Sequence, residues 1–113
     1  LRDAGDFEGC IQALQAASRA PALRFTTAVL IGRLFRGRGM MPAAVEWFEQ
    51  AAQAPASTAD EAHQLLYELA DALEATGEGA RALAVSIELQ AEAGEYRDVG
   101  SRIDRLTKAQ ARG

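Results

Sequence analysis

The sequence predicts an all-α fold built from antiparallel helix pairs that stack side by side. Two observations lead to this prediction: apolar residues recur with helical spacing, and glycine and proline recur at a fixed interval. Gly5 and Gly39 lie 34 residues apart, and so do Pro21 and Pro55. No segment alternates apolar and polar residues between hairpin turns, as a half-buried strand would. We therefore expect a helical tandem-repeat protein.

The segments that follow Gly5 and Gly39 match position by position. The matched residues are Phe7, Cys10, Leu14 and Ala17 in the first segment and Met41, Ala44, Phe48 and Ala51 in the second. A third glycine, Gly77, follows Gly39 by 38 residues, and the four additional residues fit an insertion in the polar stretch 56–60. Because each helix pair has an apolar face that it cannot bury alone, neighbouring pairs are expected to share one core.

Local signals place the helix ends. Pro21 and Pro42 stand in the first turns of the second and third helices, where a missing N–H costs nothing. Thr58, with Glu61 three residues later, forms a capping box that begins the fourth helix. Gly77 can take the left-handed conformation that ends it. The six predicted helices span about 6–18, 22–37, 42–53, 59–76, 79–92 and 96–110.

The sixth predicted helix differs from the others. Its narrow apolar stripe consists of Val99, Ile103 and Leu106. The side chains expected to face water are Arg97, Asp98, Arg102, Asp104, Arg105 and Lys108. This pattern is typical of a helix that closes the end of a stack. We therefore expect the C-terminal end of the array to be present, whereas the opening Leu1 indicates a piece cut from a longer chain.

Two stretches of the chain resemble the tetratricopeptide repeat, of about 34 residues, whose pattern is W-x2-L-G-x2-Y…A-x3-F…P. The first consists of Ala28-x2-Ile31-Gly32-x2-Phe35, Ala44-x3-Phe48 and Pro55. The second consists of Leu66-x2-Leu69-Ala70-x2-Leu73 and Ala82-x3-Ser86, with Gly94 at the proline position. The resemblance implies a single domain, residues 1–113, wound as a right-handed superhelix. Its parts are a half repeat 1–21, a repeat 22–55, a repeat 59–94 and a capping helix 95–111.

In tetratricopeptide proteins the first helix of each pair lines a concave groove that receives a partner. Carried onto this sequence, the resemblance implies that the groove is lined by Thr26, Val29, Leu30, Arg33, Arg36, Gln64, Tyr67, Glu68, Asp71, Glu74, Ser101, Arg102 and Arg105. The charges then run basic, acidic, basic across the groove. They favour either a peptide that carries both charge signs or mutual neutralisation, at about 0–1 kcal/mol for each pair. In the second case Asp71 and Glu74 pair with arginines from both sides.

Composition excludes several function classes. A net charge of −4 and a pI near 5.0 give no basic footprint for nucleic acid. No apolar run approaches the roughly 20 residues that a membrane span needs. His63 and Cys10 are the single histidine and the single cysteine. They supply neither a zinc site nor a nucleophile with its base, and Cys10 is interpreted as a small buried residue. No catalytic residue, metal or cofactor is predicted.

The sequence therefore predicts a non-enzymatic module that binds a protein or peptide. Its preference for arginine over lysine indicates a bacterial genome. A cytoplasmic location is favoured, although the single cysteine does not indicate the compartment. One alternative is self-association as a weak homodimer, through an apolar face near Phe7, Ile11 and Leu14. Another is a regulatory appendage of a larger enzyme.

Overall fold

All regular structure in residues 4–112, the part of the chain that the computed structural model describes, is helical. The six α-helices are α1 (Ala4–Ala17), α2 (Arg24–Gly37), α3 (Met41–Ala52), α4 (Ala59–Ala75), α5 (Gly79–Ala93) and α6 (Val99–Arg112). A short 3₁₀ helix, Pro21–Leu23, leads into α2. The all-α prediction is confirmed, and each predicted helix end lies within three residues of the observed one. Residues 1–3 of the predicted half repeat lie outside the described residues.

The chain divides into two compact units, Leu1–Ala56 and Ser57–Gly113. Helices α1, α2 and α3 belong to the first unit, and α4, α5 and α6 to the second. The boundary falls at the polar stretch 56–60 that the sequence analysis interprets as an insertion. Within each unit the middle helix, α2 or α5, packs against both of the others.

Local sequence signals act at three helix ends, of which Thr58 and Gly77 are predicted above. The side-chain oxygen of Thr58 accepts a hydrogen bond from the backbone N–H of Glu61 at 3.1 Å, which satisfies one unpaired donor at the start of α4. Gly39 and Gly77 have φ angles of +76° and +82°, in the left-handed region. Glycine adopts this region at little cost because it lacks a Cβ atom. Local sequence chemistry therefore sets these ends.

The start of α6 was predicted three residues too early. Gly94, at the end of α5, has φ +71° and ψ −144°, and Arg97 has φ +49°. Two left-handed residues within four positions cannot belong to one right-handed helix. The segment 94–98 is therefore an irregular connection rather than the first turn of α6.

Close approach of α2 and α3 organises the core of the N-terminal unit. Gly32 of α2 lies against the ring of Phe48, which is completely buried. A Cβ atom at position 32 would stand 2.6 Å from two carbons of that ring. The absence of a side chain at Gly32 therefore allows α2 and α3 to approach closely. The other most deeply buried apolar side chains of the unit are Ala28, Ile31, Ala44 and Ala51.

Helix α1 packs on α2 through aromatic contacts. The rings of Phe7 and Phe35 meet edge to face with centroids 5.5 Å apart, and the Arg38 guanidinium carbon lies 4.2 Å from the centroid of Phe7. Cys10 is half-buried rather than buried as predicted. The reason is that α2 is the one helix of this unit against which α1 packs extensively. Ile11, in contrast, is buried.

The core of the C-terminal unit joins all three of its helices. It centres on Leu66, Leu89 and Val99, against which Tyr67, Val85, Ala93, Tyr96 and Ile103 pack. Ser86 stands where the repeat pattern has an aromatic residue, and it is fully buried. Its hydroxyl donates a hydrogen bond to the carbonyl of Ala82 at 2.8 Å, so no polar group of that side chain is left unpaired. Of the predicted apolar stripe on α6, Val99 and Leu106 are buried and Ile103 is half-buried.

The contact between Gly32 and Phe48 leads to a stability prediction. Gly32→Ala should lower the free energy of unfolding by about 1–3 kcal/mol, because the buried ring has no space into which to move. Gly37→Ala is the matched control, since a Cβ atom there meets nothing within 4 Å. That change should be neutral or stabilising by up to about 1 kcal/mol, from helix propensity. Urea denaturation of both variants measures the difference, and equal stabilities would contradict the packing described.

Candidate protein-binding surface

Helices α4 and α6 face each other through three polar side-chain pairs at a constant separation of 31 residues. The pairs are Tyr67 with Asp98, Asp71 with Arg102, and Glu74 with Arg105. We refer to these three pairs as the polar ladder. Successive members are four and then three residues apart on each side, a spacing that keeps them on one face of a helix. Because the residue numbers of the paired side chains increase in the same direction along both helices, α4 and α6 run parallel.

The first pair of the polar ladder is a hydrogen bond. The hydroxyl of Tyr67 donates to Oδ1 of Asp98 at 2.6 Å. Since the bond requires a protonated phenol and favours an ionised carboxylate, it raises the pKa of Tyr67 and lowers the pKa of Asp98. Asp98 directly precedes α6, so this bond fixes where the connection from α5 enters that helix.

The second pair contains a buried charge. The Arg102 side chain is only 6% exposed. Its Nη2 donates to Oδ1 of Asp71 at 3.1 Å, and its Nη1 lies 3.8 Å from Oε1 of Glu74. The guanidinium carbon also lies 5.0 Å from the centroid of the Tyr67 ring. Nε and Nη1 make no hydrogen bond to any described residue. The two carboxylates of α4, on Asp71 and Glu74, therefore compensate the positive charge of Arg102.

The prediction that Arg102 faces water is wrong. Position 102 lies three residues after Val99 and four before Leu106, and both of these side chains are buried. Arg102 consequently lies on the inward face of α6. It acts in the architecture of the unit rather than as an exposed contact.

The third pair joins Glu74 and Arg105. Nη1 and Nη2 of Arg105 both donate to the Glu74 carboxylate, Nη2 at 3.3 Å. Glu74 therefore bridges Arg102 and Arg105. The sequence predicts arginines paired with Asp71 and Glu74 from both sides, and the structure shows this pairing for Arg102 and Arg105.

An aromatic cluster adjoins the first pair of the polar ladder. The rings of Tyr67 and Tyr96 have centroids 5.9 Å apart and planes tilted by 56°. The guanidinium carbon of Arg97 lies 5.1 Å from the Tyr67 centroid and 5.4 Å from that of Tyr96. His63 meets Tyr96 at 6.2 Å between ring centroids, and its Nε2 lies 3.9 Å from Oε1 of Glu92.

Tyr96 and Arg97 are absent from the predicted site. The sequence places both in the first turn of the last predicted helix, 96–110. The signal that could have found them is Gly94, which permits a break in the helix, followed closely by an adjacent tyrosine and arginine. The left-handed backbone of Arg97 has no sequence signature, since arginine adopts it rarely.

Other predicted groove residues of the C-terminal unit differ in exposure. Gln64 is half-buried on α4. Glu68 is only 6% exposed, because it lies three residues after Leu65 and four before Ala72, both buried. The expectation that Glu68 faces a partner is therefore not met. The structure does bring together Tyr67, Asp71, Glu74, Arg102 and Arg105.

The predicted groove residues of the N-terminal unit lie on α2. Thr26 is exposed, and Arg33 and Arg36 are half-buried. The Arg36 guanidinium carbon lies 5.8 Å from the centroid of the Phe48 ring. Val29 was predicted to line the groove but is buried, because it lies on the same helix face as buried Phe25, four residues before it.

No protein-family model matches the chain, and no curated protein is significantly similar to it. Within residues 4–112, no group of three histidine, cysteine, aspartate or glutamate side chains could hold a metal ion. No helix in the same range is long and apolar enough to cross a membrane. The resemblance to tetratricopeptide repeats rests on the motif residues alone.

The hydrogen bond between Tyr67 and Asp98 predicts a shifted phenol titration. The chain has two tyrosines, so absorbance at high pH resolves Tyr67 as the component that Tyr67→Phe removes. That component should titrate above the ordinary pKa of about 10. Asp98→Ala should move it back toward the ordinary value, because the acceptor and its charge are lost. A Tyr67 titration that does not respond to Asp98→Ala would contradict the geometry.

The same bond makes stability depend on pH in a defined sense. The lowered pKa of Asp98 gives a contribution that is present above its unfolded value of about 3.9 and is lost as pH falls through the folded value. The raised pKa of Tyr67 gives a contribution that is present below about pH 10 and is lost as pH rises. The difference in melting temperature between the wild type and Asp98→Ala should therefore be largest near neutrality. A melting-temperature difference that is fully retained at both low and high pH would contradict the account.

Proposed function

We propose that this chain is a non-enzymatic protein-interaction module whose partner binds the surface formed by α4, α6 and the connection 94–98. The observation that carries the proposal is the cluster of Tyr67, Tyr96 and Arg97 beside the polar ladder. Tyrosine and arginine are among the residue types that dominate binding energy at protein interfaces. Here Tyr67 stands on α4, and Tyr96 and Arg97 stand on the connection that leads into α6. The polar ladder holds α4 and α6 in register. A surface ordered before binding loses less conformational entropy when a partner arrives.

Exposure separates supporting residues from those that a partner can touch. Arg102 and Glu68 are buried, so a partner does not reach them. The side chains of Asp71 and Arg105 are 53% and 55% exposed, so they keep surface available for a partner's charges. Exposed ion pairs contribute only about 0–1 kcal/mol, and a partner can therefore replace part of such a pair at little cost.

A tetratricopeptide superhelix is the architecture in which we place this surface. The proposal combines the motif resemblance with two features of the fold: an all-α chain, and a C-terminal unit whose first and third helices run parallel. The partner that we propose is an extended or helical segment that lies along α4 and α6.

A second candidate function is self-association through the N-terminal unit. A cavity of about 410 Å³ opens beside α1 and the end of α2. Its lining consists of Phe7, Glu8, Ile11, Gln12, Phe35, Arg38 and Met40. The exposed side chain of Met40 offers apolar surface to a second copy. Ile11 was predicted to be part of an open face, but it is buried, so its substitution would test folding rather than association.

Selection from a random peptide library on the immobilised chain tests the interaction function. Selected peptides should lose about 30-fold or more in affinity on Tyr67→Ala, as expected for truncation of an interface aromatic worth about 2 kcal/mol. Ile87→Ser, which alters a 50% exposed apolar side chain on α5, is the matched control and should leave affinity unchanged. Circular dichroism confirms that both variants fold.

Two outcomes would contradict the interaction function. One is a library that yields no peptide whose binding depends on Tyr67. The other is a stable dimer in sedimentation that Met40→Glu dissociates, with Leu23→Glu, at a similarly exposed leucine, as its control. That second result would favour self-association.

A further inference from the structure

The rings of Tyr67 and Tyr96 form a cleft that already holds a cation. Their planes are tilted by 56°, and the Arg97 guanidinium carbon is nearly equidistant from the two ring centroids, at 5.1 and 5.4 Å. The faces of aromatic rings carry negative electrostatic potential and attract a guanidinium within about 6 Å. Both rings therefore contribute to holding the charge.

Besides the two rings, the neighbouring Asp98 carboxylate attracts the Arg97 guanidinium. Within the described residues its guanidinium makes no hydrogen bond and no ion pair closer than 4 Å, and the side chain is exposed. Its backbone has φ +49°, a conformation that arginine rarely adopts. The attraction of the two rings therefore offsets the cost of an unfavourable backbone conformation at Arg97. An incoming cation would displace Arg97 without breaking a hydrogen bond.

The charges around the cleft favour a cation over an anion. Asp98 accepts the hydrogen bond from Tyr67, so its carboxylate lies directly beside the cleft. Glu92 lies near His63, on the side of Tyr96. The positive charge of Arg102 beneath Tyr67 is offset by Asp71 and Glu74 of the polar ladder.

We propose that the cleft between Tyr67 and Tyr96 recognises an arginine side chain of the partner segment, and that Arg97 is its internal competitor. The proposal rests on the interaction function proposed above and gives the chemistry of its ligand. Guanidinium fits better than ammonium because it is planar, stacks on aromatic faces and is more weakly hydrated. When the partner's arginine enters, Arg97 leaves the cleft and its backbone can relax.

The test uses three blocked tripeptides as probes: Gly-Arg-Gly, Gly-Lys-Gly and Gly-citrulline-Gly. Citrulline keeps the shape of arginine without its charge. Nuclear magnetic resonance titration of the isotope-labelled chain measures each dissociation constant. Gly-Arg-Gly should shift the signals of Tyr67 and Tyr96, Gly-Lys-Gly should bind more weakly, and the citrulline probe should not bind.

Substitution of the competitor separates the proposal from a purely structural role of Arg97. Arg97→Ala should bind Gly-Arg-Gly about five-fold more tightly than the wild type does, the factor expected for one exposed cation–π contact of about 1 kcal/mol. Arg112→Ala, which changes net charge equally at the exposed end of α6, should bind like the wild type. Tyr96→Leu should abolish binding, whereas Tyr96→Phe, which keeps the ring, should retain it.

Equal affinities of Arg97→Ala and Arg112→Ala for Gly-Arg-Gly would overturn the proposal, and so would binding of the citrulline probe. If selected peptides bind the surface but contain no required arginine, the cation site is refuted while the interaction function stands. If Gly-Arg-Gly binds as expected but no peptide is selected through Tyr67, the interaction function fails while the cleft stands.

Discussion

The buried guanidinium of Arg102 is the constraint on which the C-terminal unit depends. A charge taken out of water is stable only when opposite charge and hydrogen bonds compensate it. Here the compensation comes from another helix, through Asp71 at 3.1 Å and Glu74 at 3.8 Å. A shift of α6 by one residue along α4 would remove both carboxylates from the guanidinium. The charge therefore fixes the direction and register of the two helices, and the apolar cluster of Leu66, Leu89 and Val99 supplies most of the attraction between them.

The polar ladder also decides which residues remain for recognition. Three of the charges that the sequence offers to a partner, on Asp71, Glu74 and Arg102, are largely used within the unit. What the surface keeps is an aromatic pair with an arginine that lies against both of its rings. Two helices held in register and a side chain that a ligand can replace suit a binding surface. Because the helices are ordered before the partner arrives, less conformational entropy is lost on binding.

Local signals explain how much of the fold the sequence predicts. Thr58, Gly39 and Gly77 act within one turn of their own positions, so three helix ends, the end of α2 and both ends of α4, follow from chemistry that neighbouring residues supply. The close helix contact at Gly32 can be predicted for a related reason, since a glycine within a helix indicates a close neighbour. The burial of Arg102, in contrast, cannot be predicted from the residues next to it in the sequence. An arginine on an amphipathic helix is assigned to water unless the carboxylates of another helix are known to lie beside it. Arg97 escapes prediction because arginine rarely adopts a left-handed backbone and because its contact with Tyr67 joins two distant parts of the sequence.

A double-mutant cycle between Asp71 and Arg102 tests the central claim most directly. The unfolding free energies of Asp71→Ala, Arg102→Met and the double variant give the coupling between the two side chains. If Arg102 depends on Asp71, Asp71→Ala should be costly in the wild type and nearly neutral beside Arg102→Met, with a coupling of about 1–3 kcal/mol. The exposed pair Glu78 and Arg81 on α5 and its cap supplies the reference cycle, for which about 0.5 kcal/mol or less is expected. Additive effects at Asp71 and Arg102, equal to those of the reference pair, would contradict the account.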